Sequence, residues 1–199
     1  MSTPKHRTAP GTSYFVTTKC WQGRSVFQIP ENAEVLIETL FHYRNRRAYA
    51  LHEFVVMPDH FHLLLTPSPT TSLEKAMQFI KGGSSYQIRK ARDQKMEIWQ
   101  VGFDDWTIRD SNDWQTKVEY IHTNPVRAKL AQRPEDWPYS SASGKFTLDP
   151  IPDKYLRLSS GAEAQTTAAL ASELKLRPPK EKHSTAPKSV ALNAKAAQQ

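Results

Sequence analysis

The order of strand and helix patterns along this chain, βαββαβα, predicts an α+β fold: a ferredoxin-like antiparallel sheet with flanking helices. Three observations carry that expectation. Short β-branched and aromatic runs alternate with amphipathic stretches between about Thr12 and Tyr155. Every Trp, Tyr and Phe lies at or before Tyr155, so the core-forming residues sit in one body. A hydrophobic fraction of 38% across 199 residues suffices for one domain core, while the last 44 residues contain no aromatic at all. The expected organisation is a flexible N-terminus over 1–11, one domain over 12–155, and a low-complexity, disordered basic C-terminal tail over 156–199.

Each element has its own signal. Tyr14–Lys19 is β-branched and aromatic, a strand pattern. Pro30 and Glu31 open a helix whose stripe is Ala33, Leu36, Ile37, Leu40 and Phe41, with Arg44, Arg46 and Arg47 as a basic cluster at its end. Tyr49–Met57 reads as a strand, Pro58-Asp59 as a turn, and His60–Leu65 as the returning strand. Ser72 caps a helix with Leu73, Ala76, Met77 and Ile80 inward; Gly82-Gly83 is expected to interrupt it before the basic stretch Tyr86–Arg92. Ile98–Ile108 reads as extended, and Ser111 opens a last helix expected to stop at Asn124-Pro125.

Composition excludes several classes. The apolar runs, such as Phe54–Met57 and Leu63–Leu65, fall far short of the roughly 18 residues needed to span a bilayer. The polar N-terminus has no signal-peptide pattern. Cys20 has no partner for a disulfide or a thiolate zinc site. A cytoplasmic, nucleoid-associated protein is expected, with no membrane partner. A net charge of +7 makes a polyanion the first partner to consider. The tail from Lys175 carries six basic residues against one acid, which serves either phosphate attraction or solubility.

The chemistry-bearing segment is Val55-Val56-Met57-Pro58-Asp59-His60-Phe61-His62-Leu63-Leu64-Leu65. Side chains alternate across a strand, so His60 and His62 share one face while Phe61, Leu63 and Leu65 face the core. Two imidazoles so placed grip a divalent metal or stand as ordinary core-edge histidines; a third group has to decide. On the last helix, at about 100° per residue, Trp114, Val118 and Ile121 make the core stripe. Asp113, Lys117, Tyr120 and Asn124 fall on a flank, and His122 points nearly opposite. Periodicity leaves open a plain partly buried tyrosine with Asn124 as a helix stop.

With Trp99-Gln100, Ile108-Arg109-Asp110, Tyr120-Ile121-His122-Thr123-Asn124-Pro125-Val126 and Asp136-Trp137-Pro138-Tyr139-Ser140-Ser141 added in order, the chain from Thr12 to Ser143 resembles the single-tyrosine HUH transposases. Among them it resembles the REP-associated tyrosine transposases, the RAYT branch of the IS200-like superfamily. The resemblance implies that His60 and His62 are the His-hydrophobic-His metal ligands, Asn124 the third ligand, and Tyr120 the nucleophile. It implies Mg²⁺ or Mn²⁺ and nicking of single-stranded or hairpin DNA through a 5′-phosphotyrosine, after which strands rejoin without ATP. Readings without that chemistry are a domesticated hairpin binder and a water-using phosphodiesterase. A monomer is expected over a homodimer.

For holding DNA, Lys81, Tyr86, Arg89, Lys90 and Arg92 form a basic run with one aromatic, and Gly82-Gly83 would let backbone approach a phosphate. Arg109 and Lys117 join the DNA-binding set; Lys117 either assists the phenolate or is an ordinary exposed lysine. Trp21, Trp106 and Tyr86 are candidate stacking platforms, and Trp99, Trp114 and Trp137 candidate core residues. Phe103-Asp104-Asp105-Trp106 departs from the family pattern, with an acid where an aromatic is common and Trp where a basic residue is common.

Overall fold

The computed structural model describes residues 8–92 and 95–156; the expectations for 1–7 and for the tail beyond 156 lie outside the described residues. Strand β1 (Tyr14–Lys19) is followed by α1 (Pro30–Asn45), β2 (Tyr49–Val56), β3 (His60–Pro67), α2 (Leu73–Arg92), β4 (Asp104–Thr107) and α3 (Ser111–Arg127). The sheet order is β2-β3-β1-β4, and every neighbouring pair is antiparallel. This is the expected ferredoxin-like order. No helix among the described residues is long and apolar enough to cross a membrane.

Period-two alternation divides the sheet into two apolar faces. Tyr14, Val16, Phe54, Val56, Phe61, Leu63 and Leu65 pack against Leu36, Leu40, Leu73, Met77 and Ile80 of α1 and α2. The opposite face, with Phe15, Val55 and Leu64, packs against Trp114 and Ile121 of α3, and Tyr155 closes that layer. Helices therefore cover both faces. The turn Pro58-Asp59 is tied to the end of β1 by Cys20 N–H donating to the Asp59 carbonyl (2.7 Å), which holds the start of β3 still.

Three elements differ from expectation. The α2 helix runs unbroken through Gly82 and Gly83. A Cβ on Gly83 would stand 3.0 Å from Thr39 Cγ2 and 3.2 Å from the Tyr43 ring, so this glycine permits close approach of α1 rather than breaking α2. Ile98–Ile108 is not one strand: Trp99 makes a single bridge to Cys20, Gly102 turns the chain at φ +78°, and only Asp104–Thr107 joins the ladder. Helix α3 passes Pro125 and ends at Arg127, with Lys129 at φ +58°. Pro125 is buried in that helix, where its missing N–H gives up one hydrogen bond near the helix end.

The chain after α3 covers the outer edge of β2. Trp137 Nε1 donates to the Val56 carbonyl (2.9 Å), Val56 N–H to the Tyr139 carbonyl (2.9 Å), and Leu51 N–H to the Asp149 carboxylate (2.7 Å). Arg44 grips the same carboxylate with Nε at 2.7 Å and Nη2 at 3.0 Å. One arginine of the expected basic cluster is thus a brace for this segment. Among the described residues the edge of β4 has no such cover: Asp104, Trp106 and Thr107 are exposed.

Candidate active site

Strand alternation carries His60 and His62 to the α3 side of the sheet, with ring centroids 4.9 Å apart. Register sets what lies beside them: β1 pairs Thr17 with His62 and Lys19 with His60. The Thr17 hydroxyl lies 2.9 Å from His62 Nδ1, and the Asp59 carboxylate lies 2.6 Å from His60 Nδ1. Both inner ring nitrogens are therefore engaged, and each ring is held in orientation.

Helix α3 supplies the next layer. Asp110 caps it by accepting from Asp113 N–H (2.8 Å), fixing where the first turn begins. Trp114 and Ile121 anchor the core stripe, which leaves Lys117, Tyr120 and Asn124 half-buried along the flank. The Tyr120 ring stands edge-on to His62 at 5.0 Å and to Phe15 at 5.7 Å. The Arg127 guanidinium covers the same ring at 5.5 Å. Lys117 Nζ lies 4.8 Å from the Phe15 ring and 4.8 Å from the Trp106 ring. Asn124 follows Tyr120 by one turn on the same flank. His122 points away and binds Glu53 Oε2 at 2.8 Å, so it takes no part in the cluster.

Electrostatics sharpen the site. Burial, with smaller contributions from the nearby His60, Lys117 and Lys19 charges, pushes His62 well below the usual imidazole range, so the ring is neutral. Among the described residues its Nε2 is buried without a hydrogen-bond partner. In the tautomer whose Nδ1 donates to Thr17, a neutral imidazole presents a lone pair at Nε2, which is what a metal ligand requires. An orphaned buried nitrogen also costs free energy until something meets it. The residues thus fit a divalent ion. Burial lowers Lys117 from the usual lysine range, with Asp113 opposing.

The basic stretch of α2 lies on the other face of the sheet, beside a groove of about 750 Å³ lined by Lys81, Gly82, Tyr86, Arg89, Lys90 and Trp99, among others. Several of its cations have internal duties. Lys81 Nζ donates to the carbonyls of Gln100 (2.8 Å) and Gly102 (2.5 Å), Arg89 to that of Met96 (2.7 Å), and Arg92 to Asn32 Oδ1 (3.1 Å). Lys90 and Tyr86 are exposed. Arg109 is held bidentately by Asp113, 2.7 Å at Nε and 3.2 Å at Nη2. Of the tryptophans, Trp99 and Trp114 are buried, Trp137 half-buried, and Trp21 and Trp106 exposed.

Sequence reasoning missed Phe15, Thr17 and Arg127. Thr17 carried no signal, because its role follows from strand register. Arg127 was legible in principle, at i+7 from Tyr120 on the same helix.

Comparison with known proteins adds identity to geometry. The family described as "Transposase IS200 like" matches residues 13–124, more than half of the chain. The chain is 27% identical over 145 residues to the REP-associated tyrosine transposase of Escherichia coli (strain K12), covering 70% of this chain and 84% of that protein. It is 32% identical over 96 residues to a putative REP-associated tyrosine transposase of Haemophilus influenzae, covering 43% of this chain and 54% of that one. A solved structure of a REP-associated tyrosine transposase bound to a REP hairpin shares the fold, with a TM-score of 0.61 at 24% identity over 83% of this chain and 100% of that chain.

Proposed function

This chain belongs to the IS200-like transposase family, and from that premise we propose that it nicks single-stranded DNA beside hairpins formed by palindromic repeats and transfers the cut strand through a 5′-phosphotyrosine. The observation that carries the reading is the Tyr120 ring 5.0 Å from His62, whose Nε2 is buried and has no hydrogen-bond partner among the described residues. Packing requires no phenol against a neutral imidazole on a polar flank. The names of the similar proteins, and the hairpin held by the structural neighbour, support the hairpin part of the reading.

In this reading His60, His62 and the Asn124 amide oxygen hold a divalent ion, Mg²⁺ or Mn²⁺. When bound, the ion supplies Lewis-acid polarisation of a non-bridging oxygen of the scissile phosphate. Thr17 and Asp59 hold the two imidazoles in ligating orientation. Phe15 and Arg127 confine the Tyr120 ring, so the phenol approaches phosphorus from a fixed direction. Tyr120 Oη gives up its proton and forms a bond to phosphorus. The bond to the 3′ oxygen breaks, and that oxygen takes a proton and leaves as a 3′-hydroxyl. A 3′-hydroxyl attacking the phosphotyrosine reverses the step, so strands are rejoined without an outside energy source.

The test is an adduct assay with 5′- and 3′-labelled hairpins from DNA flanking the gene, in Mn²⁺, Mg²⁺ or EDTA, on a denaturing gel. The expected result is a metal-dependent band shifted by the mass of the protein, absent in Tyr120→Phe. Cleavage that persists in Tyr120→Phe without an adduct overturns the tyrosine mechanism in favour of water attack.

A further inference from the structure

We infer that Trp106 is a stacking platform for a base of the single strand next to the scissile phosphate, with Lys117 and Arg109 contacting the phosphates beside that base. The inference rests on the single-strand reading above and adds the path the strand takes.

Trp106 lies on β4, a sheet edge that no strand among the described residues pairs on its outer side, and is 47% exposed, whereas Trp99 and Trp114 are 7% and 5% exposed. The ring is nonetheless held. Arg109 Cζ sits 5.5 Å from its centroid and Lys117 Nζ 4.8 Å. Asp113 holds the Arg109 guanidinium bidentately beside the ring, and Arg109 in turn keeps that carboxylate below its usual range. A large apolar ring fixed in place yet left in water loses little freedom when a ligand covers it.

Its position completes a row. Trp106 pairs directly with Phe15 across the β1–β4 ladder, and Lys117 lies 4.8 Å from each ring. Phe15 in turn meets His62 at 5.3 Å and the Tyr120 ring at 5.7 Å. Ring faces and one ammonium therefore run from the open sheet edge to the proposed nucleophile. Aromatic faces interleaved with cations suit single-stranded nucleic acid, whose unpaired bases stack while its phosphates seek positive charge. A duplex offers no free base face to an edge strand. Asp104 shares the Trp106 side of β4 one pair further along, opposite Thr17. The groove on α2 is the lesser candidate, because it lies on the sheet face opposite the one that carries Tyr120.

The test is fluorescence anisotropy in EDTA with the full-length chain. The probes are a labelled oligothymidine of about fifteen residues, within the span one binding fold covers, and a labelled hairpin without single-stranded flanks. Trp106→Leu keeps an apolar strand residue and removes the ring, and Trp106→Phe restores a ring. The expected result is about tenfold weaker oligothymidine binding for Trp106→Leu, most of it recovered in Trp106→Phe, with hairpin binding unchanged in both. Failure of the wild-type chain to bind oligothymidine, equal binding by Trp106→Leu, or the same loss on the flankless hairpin each overturns the inference. Cleavage is not needed for this readout, so a missing Tyr120 adduct and a missing Trp106 effect are separate failures.

Discussion

The Thr17 hydroxyl sits 2.9 Å from His62 Nδ1, across the ladder that pairs β1 with β3. It is a neighbour the imidazole gains only when the sheet forms, and it selects which nitrogen of that ring faces the site. Thr17→Val keeps the β-branched shape and removes the hydroxyl. The expected outcome is a tenfold to hundredfold higher Mn²⁺ requirement, about the cost of losing such an outer partner, with nicking at saturating Mn²⁺ close to wild type. Thr17→Ser should restore the wild-type titration. An unchanged Mn²⁺ titration in Thr17→Val would show that the hydroxyl does not orient His62.

His122 separates site from scaffold within one helix. Its Nε2 and the Ser141 hydroxyl, 2.5 Å away, both meet Glu53 Oε2, which ties α3 and the segment after it to β2. His122→Ala is expected to lower stability by about 1–2 kcal/mol, because a partly buried carboxylate loses a partner. Covalent capture by Tyr120 should persist below the melting temperature. Urea unfolding and the adduct gel check the two halves, and a stable His122→Ala chain that cannot form the adduct would place His122 in the chemistry.

The adjacent glycines of α2 should respond with opposite sign. Nothing lies within 4 Å of a Cβ added to Gly82, so Gly82→Ala is expected to stabilise the helix by about 0.5–1 kcal/mol. At Gly83 the added atoms meet Thr39 and Tyr43 of α1. Gly83→Val should cost about 1–3 kcal/mol through overpacking. Equilibrium urea unfolding of the two variants measures both, and equal effects would mean that α1 and α2 are not in close contact there.

Stability toward acid should involve Asp149. Burial alone would raise its carboxyl, but the Arg44 guanidinium and the Leu51 N–H outweigh that and hold it below the usual carboxylate range. A folded value lower than the unfolded one contributes stability above about pH 4, and this is lost as pH falls through the folded value. Asp149→Asn should therefore be less stable than wild type at neutral pH, and the gap should narrow below about pH 4. Melting temperatures of the two chains from pH 3 to pH 7, a window set about the ordinary carboxylate value, provide the measurement. A gap that stays constant across that range would rule out the ionised carboxylate as the source.

Much of the site was legible because its two halves obey local periodicities. Alternation along β3 puts His60 and His62 on one face whatever the rest of the chain does. The helical repeat puts Lys117, Tyr120 and Asn124 on one flank and His122 on the other. The α2 glycines misled because a glycine pair reads as a break when its neighbours are unknown, and the neighbour that explains Gly83 is forty residues away on α1. Basic residues misled similarly: Arg44, Lys81, Arg89 and Arg92 count as free charge in a sequence, yet each finds an acceptor in the fold.

The sequence by itself determined the element order, the shared face of the two imidazoles and the flank that bears Tyr120, since each depends on backbone geometry over a few residues. Tertiary structure alone decided that this flank meets the histidine face, that Thr17 engages His62, and that Trp106 stands across from Phe15 at an open edge. Those relationships depend on strand register and on which side of the sheet α3 packs. Both are set by burying Trp114, Ile121 and Tyr155 together with Phe15 and Leu64, contacts between residues far apart in the chain that no local pattern encodes.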